Sequence, residues 1–130
     1  LAKAELILIA PSRCGKTPTS LYMALQYGVF ATNYPLIAED LEAGRLPDVL
    51  KQNPTKLFGL TSDPERLSQV RSERRPGSQY ASLAQCAFEL RQAEAMYRKH
   101  QIPFLNSANM SIEEMTTLIM QEKALRKTLF

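Results

Sequence analysis

Apolar and polar positions alternate along this chain in blocks of two different periods. Residues 4–9 form a short, unbroken apolar run, the signature of a strand buried on both faces. From Thr17 to Gly28 the period changes to that of a helix. Leu21, Ala24, Leu25 and Gly28 follow the i, i+3, i+4, i+7 spacing of one face, and Gly28 is a natural stop. Val29 to Tyr34 predicts a second strand, closed by Pro35. The segment 39–42 is a short helix or a loop, and 48–52 another short helical turn. Lys56 to Thr61 predicts strand three. A helix then runs to about Arg74, with Ser62 or Asp63 as its N-cap and Pro64 in its first turn.

The longest helical pattern spans Tyr80 to His100, with Leu83, Cys86, Ala87, Leu90, Ala93 and Tyr97 on one face. Ile102 to Leu105 predicts a short fourth strand. Ser111-Ile112-Glu113-Glu114 is a capping box that opens a last helix, with Ile112, Met115 and Ile119 inward, to about Lys127. Strands alternating with helices predict an α/β fold: a parallel sheet of about four strands flanked by helices. The arrangement is similar to the P-loop kinase architecture of nucleotide and shikimate kinases, which implies the strand order 2-3-1-4. Ligands of such sheets bind beyond the carboxyl ends of the strands. Ser12 to Thr17, Asn33 to Asp40 and Thr61 to Arg66 should therefore share one rim.

Bulk properties change this picture little. A chain of 130 residues predicts one domain, with 45% hydrophobic and 22% charged residues, an ordinary globular balance. The net charge of +3 suits phosphorylated ligands and is too small to argue for nucleic acid. Cys14 and Cys86 show neither metal nor disulfide spacing, which fits a reducing cytoplasm. No apolar run approaches the length of a membrane span. The chain opens Leu1-Ala2-Lys3, without Met, as a piece of a longer protein would.

The chemistry concentrates after strand one. Ala10-Pro11-Ser12-Arg13-Cys14-Gly15-Lys16-Thr17 lies between an apolar strand and a helix and ends in Gly-Lys-Thr. That is a phosphate-binding loop, whose backbone N–H groups and following helix N-terminus face an anion. Lys16 would reach the outer phosphates and the Thr17 hydroxyl would hold Mg²⁺. Ala10 stands where the pattern has its first glycine, and Ala10→Gly is expected to keep or improve nucleotide affinity. The alternative is a plain polar turn with Lys16 solvated. Arg66, Arg71, Arg74 and Arg75 fall within ten positions and are candidates to clamp phosphoryl oxygens, or else a solvated helix face. Asp63, just after strand three, is either a cap or a catalytic carboxylate that accepts a proton or holds Mg²⁺. Glu39 and Asp40 are weaker candidates. His100 suits a helix C-terminus, and Cys14 suits a small loop-filling side chain. The loop Asn106-Ser107-Ala108-Asn109 either approaches a nucleotide base or simply connects.

Several blocks resemble the phosphoenolpyruvate synthase regulatory protein family, relatives of the pyruvate, phosphate dikinase regulatory protein. They are Ser12 to Tyr22, Ala31 to Leu36, Phe58 to Leu67, Arg71 to Arg75 with Tyr80 to Leu83, Tyr97 to Lys99 and Ser111 to Glu114. The resemblance covers nearly the whole chain. It implies a cytoplasmic, bifunctional serine/threonine kinase and pyrophosphorylase. Such an enzyme uses ADP to phosphorylate a threonine of the target synthase, or the dikinase, and inactivates it. It removes that phosphate with inorganic phosphate and releases pyrophosphate. By position, the loop would bind ADP, with Lys16, Asp63 and Arg66 catalytic. Arg71, Arg74 and Arg75 would bind phosphate. The resemblance further implies a dimer. Family members carry an additional N-terminal region, so this chain corresponds to their carboxyl-terminal, nucleotide-binding half. A non-catalytic nucleotide-binding regulatory module is the alternative.

Overall fold

A computed structural model of the chain describes residues 4–14 and 16–123, the side chain of Lys16 excepted. The strands are β1 (Leu6–Pro11), β2 (Ala31–Leu36), β3 (Leu57–Thr61) and β4 (Phe104–Asn106). The helices are α1 (Lys16–Tyr27), α2 (Ala38–Ala43), α3 (Asp48–Lys51), α4 (Pro64–Arg74), α5 (Leu83–Lys99) and α6 (Ile112–Lys123). The predicted end of α6 at Lys127 lies outside the described residues. All strand pairings are parallel, in the order β2-β1-β3-β4. The analogy's order 2-3-1-4 is therefore corrected: β2 pairs directly with β1, from Leu6 opposite Ala31 to Pro11 opposite Leu36. The direction of winding reverses between β1 and β3, and such a switch point is where an open parallel sheet forms its ligand crevice.

Every residue of β1 and of β3 is buried, as both faces of the sheet are covered. Leu6, Leu8 and Ala10 pack on one face with Met23, Leu90 and Ile119. Ile7 and Ile9 pack on the other with Leu41, Leu50, Met96 and Tyr97.

Helix α1 has the predicted period in a different phase. Leu21 is 58% and Leu25 80% exposed, and Ala24 and Gly28 lie outside with them. Thr19, Ser20 and Met23 are buried instead. Both stripes satisfy helical spacing. The inward one carries two hydroxyl residues, which a hydrophobic pattern passes over, and Ser20 returns its hydroxyl to the Thr17 carbonyl at 3.0 Å. Pro35 does not close β2, which continues to Leu36. A strand on the sheet edge tolerates the missing N–H. Helix α5 starts at Leu83 with Ser82 as its cap. Leu83 is exposed, while Cys86, Leu90, Ala93 and Tyr97 are inward as predicted.

Strands β1 and β3 pair only as far as Ile9 and Gly59, and then each follows its other neighbour. At this fork lies the Tyr97 hydroxyl. It donates to the carbonyl oxygens of Ile9 and Leu60, 3.0 Å from each. The ring is fully buried, and burial pushes the phenol well above its ordinary pKa, so it stays protonated and remains a donor. The ring fits because residue 59 is glycine. A Cβ there would come within 2.7 Å of two ring carbons.

Gly59→Ala is expected to cost about 1–3 kcal/mol by overpacking. Tyr97→Phe, which leaves two buried carbonyls without their donor, should cost a similar ~1–3 kcal/mol. Urea unfolding checks both. Ala10→Gly removes a buried methyl from a strand and should lower stability by about 1–2 kcal/mol, read in the same way.

Candidate nucleotide and phosphate site

The chain leaves β1 at Pro11 and enters α1 at Lys16, so the intervening loop is held between a buried strand and a helix N-terminus. Two side chains fix its path. Arg71 donates to the Ser12 carbonyl oxygen from Nε at 3.3 Å and from Nη2 at 3.1 Å. Ser107 donates to the Cys14 carbonyl oxygen at 3.0 Å. Between these two carbonyls sits Arg13, with φ of 72° and an exposed side chain. A left-handed arginine costs about 1–2 kcal/mol and persists only where its neighbours hold it. Ala10 and Pro11 lie in β1. Ala10 is fully buried in the core and pairs with Pro35, so its methyl contributes packing to the sheet and does not line the loop. The conformation for which glycine is prized has moved to Arg13. Gly15 lies outside the described residues, as does the side chain of Lys16.

Around the loop the strand ends are tied together. Ser107 bonds the Thr61 carbonyl through its N–H at 2.8 Å, which joins β3 and β4 beneath the loop. Asp63 occupies the N-cap position of α4, yet its side chain makes no capping bond. Its carboxylate accepts instead from Asn106 Nδ2 at 2.9 Å and is half-buried at the rim. The Thr17 hydroxyl accepts from Asn33 Nδ2 at 3.4 Å, and Asn33 Oδ1 is buried with no partner. Arg66, in the first turn of α4, shares with Arg13, Ser62 and Ser107 a crevice of about 170 Å³. Glu39 and Asp40 belong to α2, where Asp40 accepts from the Ile37 N–H at 3.3 Å. His100 ends α5, as its position predicted; burial first, then Lys99 and Lys51, hold its pKa below the ordinary value.

The arginine cluster divides into two populations. Arg71, expected to bind phosphate, is fully buried and spends its donors on protein acceptors. It forms an ion pair with Glu89 at 2.8 Å, donates to the Tyr80 carbonyl at 2.9 Å, and lies 4.2 Å from the centre of the Tyr80 ring. Burial disfavours its charge, but the Glu89 bond and charge outweigh that, and its pKa is raised. Burial likewise pushes the Cys86 thiol up, against the pull of Arg71, which keeps it an unreactive thiol. Cys14 is buried as a core filler. Arg74 and Arg75, by contrast, are exposed and line with Ser12, Arg13 and Tyr80 a cavity of about 410 Å³.

Glu89 and Tyr80 escape the sequence reading as parts of the site, while Asn106 and Ser107 entered it only as a loop that approaches a base or connects, without the bonds they make to Asp63 and Cys14. Glu89 left one signal: a carboxylate three residues after Cys86, on the inward side of α5, needs a buried cation. The Asn106 Oδ1 accepts from the Ala108 N–H at 2.8 Å, an Asx turn that sets the course of its loop.

Comparison with known proteins identifies the family. Residues 1–120 match the model of a family described as kinase/pyrophosphorylase. A protein of Pseudomonas aeruginosa (strain LESB58) named "Putative phosphoenolpyruvate synthase regulatory protein" is 55% identical over 125 residues, covering 96% of this chain and 46% of its own length. Proteins of the same name are 54% identical in Ectopseudomonas mendocina (strain ymp) and 55% in Burkholderia vietnamiensis (strain G4), each over 98% of this chain and 47% of the relative. The chain spans about half the length of the curated relatives it matches. With a match that covers most of its residues, the chain belongs to the kinase/pyrophosphorylase family.

Proposed function

We propose that the chain is the nucleotide-binding half of a bifunctional enzyme that regulates phosphoenolpyruvate synthase. In one direction the β-phosphoryl group of ADP passes to a threonine hydroxyl of the synthase, with release of AMP and a proton. In the other, an oxygen of inorganic phosphate attacks the threonyl phosphate. The bond from phosphorus to the threonine oxygen breaks, that oxygen takes a proton, and pyrophosphate leaves. The observation that carries this reading is the loop pinned after β1 by Arg71 and Ser107, with Asp63 held by Asn106 at the end of the neighbouring strand β3. The names of the relatives supply the target.

Each residue has a task in this reading. The loop and the N-terminus of α1 receive the nucleotide phosphates. Lys16 neutralises charge on the transferred phosphoryl. Asp63, released from capping and oriented by Asn106, accepts the threonine proton. Arg66 approaches the phosphates from α4. The residues present also fit Mg²⁺. The exposed Thr17 hydroxyl and the unpartnered Asn33 Oδ1 are hard oxygen donors at the rim. Among the described residues no group of three or more His, Cys, Asp or Glu forms an all-protein cage, so nucleotide oxygens would complete its shell. When bound, the ion screens the charge of the phosphates. Among the described residues no helix is long and apolar enough to cross a membrane.

Transfer of label from ADP to threonine of the synthase tests the reading, with this chain and with a full-length relative. Lys16→Ala is expected to abolish transfer, and Asp63→Asn to lower it by about 10²–10⁴-fold. No transfer by either protein rejects the enzyme reading. Tight ADP binding in that case leaves a nucleotide-sensing module that acts by docking.

A further inference from the structure

Arg13 lines two cavities. The crevice of about 170 Å³ holds Ser62, Arg66 and Ser107. The larger cavity, of about 410 Å³, holds Ser12, Arg74, Arg75 and Tyr80. We propose that the larger cavity is a second anion subsite, which takes a phosphate dianion other than the nucleotide's, either on a phosphorylated side chain or as free orthophosphate.

Charge is the first argument. Arg13, Arg74 and Arg75 are exposed and form no ion pair among the described residues, whereas Arg71 beneath them is matched by Glu89. Three guanidinium groups on one cavity, with no counter-ion on its wall, favour an anion that accepts several forked hydrogen bonds. Rigidity is the second. The Ser12 and Tyr80 hydroxyls are hydrogen-bonded to each other. The Tyr80 ring has the Arg71 guanidinium at 4.2 Å and that of Arg75 at 5.9 Å. The floor is thus fixed before a ligand arrives. The third argument is Arg13 itself. Arginines at the end of α4 complement the helix dipole in any case. Arg13 comes from another element, and its backbone is held at φ of 72° by the bonds to Ser12 and Cys14. Dipole pairing does not explain that.

The role assigned to the subsite rests on the proposed function. Phosphorolysis requires two phosphorus centres to be held together, and phosphorylation creates a phosphothreonine beside the nucleotide. A subsite that shares Arg13 with the loop holds the second group in both directions. The existence of the subsite does not depend on that reading.

Calorimetric titration of the folded chain tests it, with orthophosphate and with a phosphothreonine peptide, each with and without saturating ADP. Orthophosphate or the peptide is expected to bind alongside ADP. The double variant Arg74→Gln/Arg75→Gln should weaken that binding by about tenfold or more, with ADP affinity nearly unchanged. Arg13→Asn, which tolerates the left-handed backbone, should weaken both ligands. A peptide that binds more tightly than orthophosphate identifies a phosphorylated side chain as the occupant, and the reverse identifies free phosphate. Competition between ADP and phosphate for one site overturns the proposal, as does undiminished binding by the double variant. If that variant fails to fold, Arg74→Lys/Arg75→Lys keeps the charges and removes the forks, and unchanged affinity then overturns it. If ADP does not bind, the proposed function fails, and the phosphate titrations alone decide the subsite.

Discussion

A guanidinium sealed from water holds the loop between β1 and α1 in place. Arg71 presents its donors to the Ser12 carbonyl, the Tyr80 carbonyl and the Glu89 carboxylate, and none of its side chain reaches solvent. Removing one partner of such a pair typically costs about 3–5 kcal/mol, because the other charge is left buried and alone. That exceeds the ~1–2 kcal/mol by which Arg13 resists its left-handed conformation. Together with Ser107 on the Cys14 carbonyl, the clamp therefore decides the geometry of the crest. The strain at Arg13 is a consequence of the core beneath it. A loop already arranged for its ligand need not be ordered on binding.

The same logic operates one layer down. Beyond Ile9 and Gly59 the strands β1 and β3 part, and two carbonyls lose their ladder partners. The Tyr97 hydroxyl satisfies both, and the absence of a side chain at Gly59 admits the ring. The fork above the ring is the switch point at which the loop, Asp63 and Asn106 meet. Site and core are thus one construction. Tyr97 supports the fork from below, and Arg71 and Ser107 hold the loop that rises from it.

Electrostatics divides the arginine-rich segment by burial. Along the chain Arg71, Arg74 and Arg75 look alike. In the fold Arg71 turns under the loop towards Glu89, while Arg74 and Arg75 emerge at the end of α4 beside Arg13. One helix therefore supplies both a structural cation and an open pair facing a cavity. Their spacing does not separate the two, because the separation depends on Glu89, a residue of α5.

What the sequence by itself determined is local. Apolar runs, Pro64, and the Ser111–Glu114 box set the strands and helix starts, since each acts through neighbours in the chain. The order β-loop-α around Gly15-Lys16-Thr17 marked the candidate loop for the same reason. Only the tertiary structure decided which stripe of α1 faces inward, which strand neighbours β1, and which arginine is available to a ligand. The physical reason is common to all three: each depends on a partner distant in sequence. Met23 and Thr19 are inward because sheet and α6 lie on that side. Asp63 is released from capping while Asn106, forty-three residues on, takes its carboxylate. Arg71 is buried because Glu89 is there to receive it.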